Sequence, residues 1–314
     1  MARVIQYSQV GSLDNLELVD VPTPNAPADA VVVEIRAAGI NPIDWKLILG
    51  IRPSAPFTTP RRVGTDASGV ITEVGGQVSG WSVGDEVIVR DAAGALATHV
   101  VARPDQLARK PASLSWEQGA ALGVPVGTAY QVLKSLGVVA GTTLLIHGGS
   151  GAVGQAAVQF ARVWGATVIA TASEANQDRL RELGAIPVVY GPGLVERIRS
   201  AAPGTIDLIL DAAGTDEAIK ASFDLVDDWQ QIGTIVLGFR AAELGIRAWS
   251  GGSPIPLTEE EQRLRHEAVS IAASLAEQGR FEIEIGARFP LDRAADALRE
   301  SHSGRVRGKV VVLP

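Results

Sequence analysis

The chain contains no cysteine. That excludes a disulfide framework and any thiolate metal site. Its four histidines, His99, His147, His266 and His302, show none of the close spacings that bind a metal, such as His-x-His or His-Glu-x-x-His. Positive charge is also scarce: 28 Lys and Arg face 35 Asp and Glu, for a formal charge of −7. Nucleic acid and anionic membrane both require a basic face, so neither is expected as a partner. A phosphate-bearing small ligand needs only a few local donors and stays open. No run approaches the ~20 apolar residues of a membrane span. The first residues, Met1-Ala2-Arg3-Val4-Ile5-Gln6, lack the apolar core of a secretion signal. The expected compartment is the cytoplasm. No internal repeat or low-complexity tract is visible.

What is present is enough for two domains, at ~100–200 residues each. The first third reads as strands. Ala30 to Ile35, Ala67 to Val74 and Glu86 to Arg90 are β-branched runs punctuated by Gly, Pro and Asp. Short strands in this density predict a small barrel. Near Ser115 the pattern changes, with helices expected over Trp116 to Leu122 and Thr128 to Leu136. From Thr142 strands alternate with helices: TTLLIHG, a helix from Ala152 to Trp164, TVIATA (167–172), a helix near Gln177 to Leu183, PVVY (187–190), IDLILDAAG (206–214) and TIVLG (234–238). That alternation predicts a parallel sheet with right-handed crossovers. Residues 241–257 read as loop, Glu259 to Gln278 as a helix, FEIEI (281–285) and KVVVL (309–313) as strands, with a helix from Asp292 to Ser301 between them. The late strands are expected to rejoin the first domain. The expected division is 1–118 with 262–314 for the β-rich domain and 119–261 for the inserted α/β domain.

Gly149-Ser150-Gly151-Ala152-Val153-Gly154 is a G-x-G-x-x-G in the context that gives the pattern meaning, after an apolar strand and at the start of a helix. Gly149 is expected to make the tight turn, Gly151 to let backbone N–H groups approach a pyrophosphate, and Gly154 to let the helix pack closely. The helix N-terminus adds partial positive charge. An NAD-binding unit carries an acidic residue ~20 positions on, where it bonds the ribose 2′-OH. Here that position falls at Ala172 and Ser173. Ser173 can donate to a 2′-phosphate that an Asp would repel, and Asn176 and Arg179 follow within reach. The expected cofactor is NADPH. Glu174, adjacent to Ser173, argues the other way if the strand ends one residue later.

Several motifs in order then resemble one family along the whole chain. These are Ala37-Ala38-Gly39-Ile40-Asn41-Pro42-Ile43-Asp44, Gly64-Thr65-Asp66-Ala67-Ser68-Gly69-Val70, Gly84-Asp85-Glu86-Val87, Ala120-Ala121 with Gly127-Thr128-Ala129-Tyr130, the Gly148 to Gly154 loop, and Gly308-Lys309-Val310-Val311. They resemble the zinc-free, zeta-crystallin-like quinone oxidoreductases and the alkenal and enone reductases of the medium-chain dehydrogenase/reductase superfamily. The resemblance implies an α/β fold, a GroES-like β-barrel catalytic domain with an inserted Rossmann domain. It also implies NADPH as hydride donor, quinones, enones or alkenals as small-molecule substrates, and a homodimer. Zinc-dependent relatives use Cys and His ligands, and the thiolate form of that site is impossible here.

Carried over residue by residue, Asn41 resembles the family's Asn near the nicotinamide and Thr128 a residue beside the nicotinamide or its ribose. Tyr190 falls where members place a Tyr near the adenosine ribose or 2′-phosphate. Gly238 resembles the start of the loop that crosses the nicotinamide. Many quinone reductases carry a Tyr two residues after the motif's Asp. This chain has Lys46, a form more like the alkenal and enone reductases, and Trp45 adds bulk beside it. The 241–257 loop, with Trp249, matches no family feature.

Reduction of an enone leaves negative charge on the carbonyl oxygen, and one well-placed donor is worth ~2.7–4 kcal/mol there. Lys46 is the first candidate, with Tyr130 and Asn41 as alternatives. Two of them have structural alternatives: a solvated lysine or an ion pair with Asp44 for Lys46, and helix packing for Tyr130. Asp44 itself suits an Asx-turn or a helix cap after Pro42. Asp211 suits a cap of its own turn as well as a ribose contact. His147 is expected to be structural or to lie beside the cofactor, His99 to face the surface from a barrel strand, and His266 and His302 to sit on helix faces. None is assigned a catalytic role. Two rival functions stand beside the reductase: a pathway-specific reductase of a larger natural-product or acyl intermediate, and a non-catalytic NADPH-binding protein.

Overall fold

The computed structural model describes residues 1–249 and 253–314. The chain divides into two compact units, Met1–Val124 with Val269–Pro314, and Pro125–Ala268.

In the first unit, β1 (Ala2–Tyr7) pairs antiparallel with β2 (Glu17–Val21). Next come β3 (Val31–Gly39), α1 (Pro42–Ile48), the two-residue β4 (Arg61–Arg62), which pairs with β1, and β5 (Asp66–Val74). β6 (Glu86–Val89), β7 (His99–Ala102), β8 (Leu107–Arg109) and the short helix α2 (Trp116–Ala120) follow. β3 is the spine. It pairs antiparallel with β5 on one side and β7 on the other, and β5 continues to β6 and β8. Its Val31, Val33 and Ile35 enter one apolar core with Ile71, Val87 and Leu96. Each such side chain, fully buried, is worth ~1.5–3 kcal/mol. The β-branched run in Ala30 to Ile35 therefore became a strand whose side chains are largely buried.

The second unit opens with α3 (Gly123–Leu136) and β9 (Thr143–His147), then α4 (Ala152–Val163), β10 (Thr167–Ala172), α5 (Gln177–Glu182), β11 (Ile186–Val189) and α6 (Leu194–Ala201). It continues through β12 (Leu208–Asp211), α7 (Asp216–Leu225), β13 (Ile232–Thr234), α8 (Ala241–Leu244) and β14 (Arg247–Ala248), and ends within α9 (Glu259–Glu277). The sheet is parallel throughout, in the order β11-β10-β9-β12-β13-β14. The order reverses beside β9, so the β9–α4 turn lies at the switch point where such sheets bind ligands. β9 itself is apolar through Leu144, Leu145 and Ile146, all fully buried, as a strand covered on both faces must be.

The chain then returns to the first unit. β15 (Ile285–Pro290) pairs parallel with β16 (Lys309–Leu313), α10 (Ala294–His302) joins them, and β16 pairs with β3. The GroES-like and Rossmann expectation holds on these pairings.

Three segments differ from expectation. The run TIVLG is not a strand beyond Thr234. The Thr234 hydroxyl accepts the N–H groups of Val236 and Leu237 (both 3.1 Å), which turns the backbone out of the ladder. FEIEI contributes a strand only from Ile285, because its partner β16 begins at Lys309, whose N–H bonds the Glu284 carbonyl (2.9 Å). The expected 241–257 loop contains α8 and β14. Trp249 anchors it, with its indole N–H on Glu261 Oε1 (2.6 Å), while residues 250–252 of that loop lie outside the described residues.

Candidate functional site

In the first unit the motif Asn41-Pro42-Ile43-Asp44 starts α1. Asn41 takes the extended backbone of an N-cap, Pro42 follows in the first turn, and Asp44 Oδ2 accepts the Asn41 N–H at 2.8 Å. Asp44 is thus the cap that its position after Pro42 suggested. It is buried, and burial pushes its carboxyl from 3.8 to about 7. The Asn41 N–H opposes the rise, Asp66 adds to it, and Lys309 opposes it.

The Asn41 side chain is spent elsewhere. Its amide donates to Asp66 Oδ2 (2.9 Å) and Thr65 Oγ1 (3.4 Å), and its carbonyl accepts from the Lys309 ammonium. Lys309 also lies 3.6 Å from Asp66, which receives the Val124 N–H at 2.8 Å. All four residues, Asn41, Asp44, Asp66 and Lys309, are buried. Burial pushes Asp66 up and Lys309 down, and each opposes the other's displacement. Asn41, expected beside the nicotinamide, is therefore the hub of a buried polar cluster, with both ends of its amide committed. The partners that hold it were visible only as Asp66 in a Gly-Thr-Asp motif and Lys309 at the head of an apolar strand.

Lys46 lies two positions after Asp44, and neighbours two apart on a helix do not face each other. Asp44 is buried while Lys46 is half-exposed, and no ion pair joins them among the described residues. The Lys46 ammonium sits 5.4 Å from the Trp45 ring centre. Burial lowers its proton affinity, and nearby Arg52 lowers it further. Trp45 in turn stacks on His302 with ring centres 4.4 Å apart.

In the second unit the β9–α4 loop is built by close approach. Gly148 takes the left-handed conformation (φ 78°), so the turn that was expected at Gly149 is made one residue earlier. Gly149 is needed for space, since a Cβ there would lie 2.8 Å from that of Ala170. A Cβ on Gly154 would fall 2.2 Å from the Gly148 carbonyl, so α4 packs directly on the loop. Gly151 differs: a Cβ there would meet only the Gly148 carbonyl, at 3.7 Å. It is the N-cap of α4, and no side chain caps that end. The N–H groups of the first turn, over Ala152, Val153 and Gly154, have no helical acceptor. An open cradle with uncapped donors fits the pyrophosphate of a dinucleotide.

Beside it, the Asn176 amide donates to Ser150 Oγ (3.2 Å) and Ser173 Oγ (3.1 Å). Two residues expected at the 2′-phosphate, Ser173 and Asn176, are thereby joined to Ser150 of the glycine loop. β10 ends at Ala172, Ser173 turns inward to this group, and Glu174 is exposed. Tyr190 is exposed at the end of β11, with its N–H on the Ala172 carbonyl. Arg179 is not in the group. It is buried, with Nε on Gln155 Oε1 (3.3 Å) and Nη1 on Glu182 (3.2 Å). Thr128 is buried on α3, and Gly238 is buried in the turn after β13.

Tyr130 packs edge-on against Phe160 (5.2 Å) and Trp164 (5.3 Å). Burial raises its pKa, and the nearby Glu267 carboxylate adds to the rise. The Tyr130 ring thus packs as its structural alternative expects. Asp211 caps its own turn: Oδ1 accepts from Ala213 (3.0 Å) and Gly214 (2.8 Å), and Oδ2 from Thr234 Oγ1 (2.7 Å). His147 contacts Thr171 Oγ1 through Nδ1 (3.3 Å), and burial lowers it to about 4 against the pull of Asp211. It stays neutral and internal.

With these arrangements in view, the comparisons with known proteins bear on both units. The family "Alcohol dehydrogenase GroES-like domain" matches residues 27–131, and "Zinc-binding dehydrogenase" matches 183–312. The chain is 31% identical to the 2-methylene-furan-3-one reductase of Solanum lycopersicum, over 98% of this chain and 78% of that protein. It is 32% identical to the quinone oxidoreductase of Sus scrofa, over 94% and 92%. The solved quinone oxidoreductase of Coxiella burnetii matches with a TM-score of 0.83 at 30% identity, covering 100% of this chain and 99% of that one. The fold and sites define a medium-chain dehydrogenase/reductase with a site for a nicotinamide dinucleotide. The chain belongs to the quinone oxidoreductase branch of that superfamily. Among the described residues no helix is long and apolar enough to cross a membrane.

Proposed function

We propose that the chain is an NADPH-dependent reductase of quinones or α,β-unsaturated carbonyl compounds that works without zinc. The observation that carries the cofactor choice is the Ser150-Asn176-Ser173 group beside the open turn at Gly151. Two hydroxyls and an amide suit a 2′-phosphate, and Glu174, adjacent to Ser173, is exposed. The exposed ring of Tyr190 flanks the same strand ends and suits the adenosine. The absence of cysteine removes the thiolate ligands of the zinc-dependent relatives. Two relatives are named, respectively, for reduction of an enone and of quinones, which supports the acceptor class.

When bound, the nicotinamide supplies the hydride. The chain's own contribution is to bind, orient and stabilise. The first-turn N–H groups of α4 hold the pyrophosphate. At the acceptor, the oxygen that gains negative charge needs a donor, and Lys46 is the residue we assign to it. Lys46 is half-buried on α1, forms no ion pair among the described residues, and its lowered proton affinity makes it a better acid. Asn41 acts as a positioning residue: with Asp66 and Lys309 it fixes the start of the helix that carries Lys46. The family expectation of a homodimer is retained, with β14, the edge strand of the parallel sheet, as the place for a second copy to pair.

The test is to titrate NADPH and NADH separately by quenching of Trp fluorescence, then to follow nicotinamide absorbance with a panel of quinones, alkenals and cyclic enones. Tighter NADPH binding with turnover of a panel member is the expected result. Failure to bind either nucleotide would overturn the reading. Binding without turnover would move the assignment to a specialised reductase or a non-catalytic binder.

A further inference from the structure

α1 ends next to a second cation. The Arg52 N–H donates to the Lys46 carbonyl at 3.1 Å, which folds the chain so that the two residues are neighbours. Both side chains are half-buried, and the Arg52 charge depresses the proton affinity of Lys46. Among the described residues neither forms an ion pair. Elsewhere Arg263, Arg293, Arg299 and Arg307 each pair with a carboxylate. Acidic residues outnumber basic ones here, so an unpaired couple of adjacent, partly desolvated cations is not forced by composition. Like charges placed together in a partly dry setting disfavour one another, and an anion between or beside them reverses that cost. Ile51, between the end of the helix and Arg52, is 56% exposed and adds an apolar surface beside the charges.

We infer that Arg52, with Lys46, forms a binding site for an anionic group carried by the acceptor, so that the preferred substrates are α,β-unsaturated carbonyl compounds bearing a carboxylate or a phosphate on an apolar chain. The inference rests on the reductase assignment and refines its substrate class. Lys46 serves the carbonyl oxygen. Arg52 is the cation left over for a second, permanent negative charge, and its planar fork suits either anion.

The experiment uses the full-length protein and three acceptors of equal chain length: a neutral alkyl vinyl ketone, the same ketone ending in a carboxylate, and the same ketone ending in a phosphate. Their saturated counterparts are titrated into NADP⁺-loaded protein by calorimetry, which reads binding without turnover. An anionic acceptor should be preferred over the neutral one by about tenfold in kcat/KM, and the preference should shrink as salt rises. Arg52→Gln should remove most of that ratio and Arg52→Glu should invert it, with saturated-analogue affinities moving in parallel. The better of the two anionic arms identifies the headgroup. Equal affinities for the neutral and anionic analogues, unchanged in Arg52→Glu, would overturn the inference. So would a loss of NADPH affinity in the variants with the acceptor ratio intact, because the pair would then serve the cofactor. If no acceptor is turned over, the reductase assignment falls, and the calorimetric comparison still decides whether the anion site exists.

Discussion

Replacing Asp44 by asparagine should flatten the dependence of stability on pH between about 4 and about 7. In the folded chain burial pushes the Asp44 carboxyl from 3.8 to about 7, against the Asn41 N–H that it accepts. Unfolded, the same group releases its proton near its ordinary value. Between the two the folded state binds the extra proton. The stability contributed is therefore full below the unfolded pKa and is lost as pH rises through the folded one. The slope is ~1.4 kcal/mol per pH unit for one proton, so the whole window is worth at most about 4 kcal/mol. An asparagine reproduces the shape of the protonated acid, can still accept the Asn41 N–H, and has no proton to lose. Urea unfolding of both proteins at steps across the window measures the effect. The difference in unfolding free energy should move in favour of Asp44→Asn as pH rises. Parallel curves for the two proteins would refute the reasoning, because they would mean that Asp44 ionises alike in the folded and unfolded chains.

Four further outcomes follow from the same contacts. Lys309→Met leaves the Asp66 carboxylate buried without its cation and should cost about 3–5 kcal/mol by chemical denaturation; Asp66→Asn in the same chain should recover much of it. Gly154→Ala places a methyl against the Gly148 carbonyl, so thermal stability should fall and NADPH affinity should fall with it, the latter read by Trp quenching. Ser173→Asp sets a carboxylate where we place the 2′-phosphate, and the ratio of NADPH to NADH affinity should drop by at least about tenfold; an unchanged ratio would move the phosphate elsewhere. Lys46→Met should lower kcat by about 10²–10³, whereas Tyr130→Phe, which keeps the ring packed on Phe160 and Trp164, should leave kcat within a few-fold.

The alternating fold was legible because its signals are local. Leu144 to Ile146 is apolar, the glycine loop follows after His147, and a helix begins at Ala152; each rests on its neighbours in the chain. What was missed depends on groups that come together from a distance or on side chains that compete with the backbone. Asn41 reads identically in sequence whether its amide is free or buried, and its partner Lys309 is 268 positions away. Val236 and Leu237 have strand-forming side chains, but the hydroxyl of Thr234 takes their N–H groups first. Arg179 lies within reach of the expected phosphate in sequence, yet Glu182, one turn further along its own helix, and Gln155 claim it. The Ser150-Asn176-Ser173 group was within reach of reading because the glycine motif sets the count to the end of the next strand.

The buried ammonium of Lys309 also has a consequence for how the chain is made. Its two partners, Asn41 and Asp66, leave the ribosome early, and Lys309 arrives with the last strand. At ~5–20 residues per second, Asn41 waits on the order of 10–50 s for it. During that time the whole of the 125–268 unit has been synthesised and is able to collapse around its own parallel sheet. The first unit meanwhile carries Asp44 and Asp66 with no countercharge and β3 without its β16 neighbour, a state that favours staying hydrated over closing early. A chain stalled or clipped before residue 309 would therefore hold the whole of the 125–268 unit and a first unit without β16.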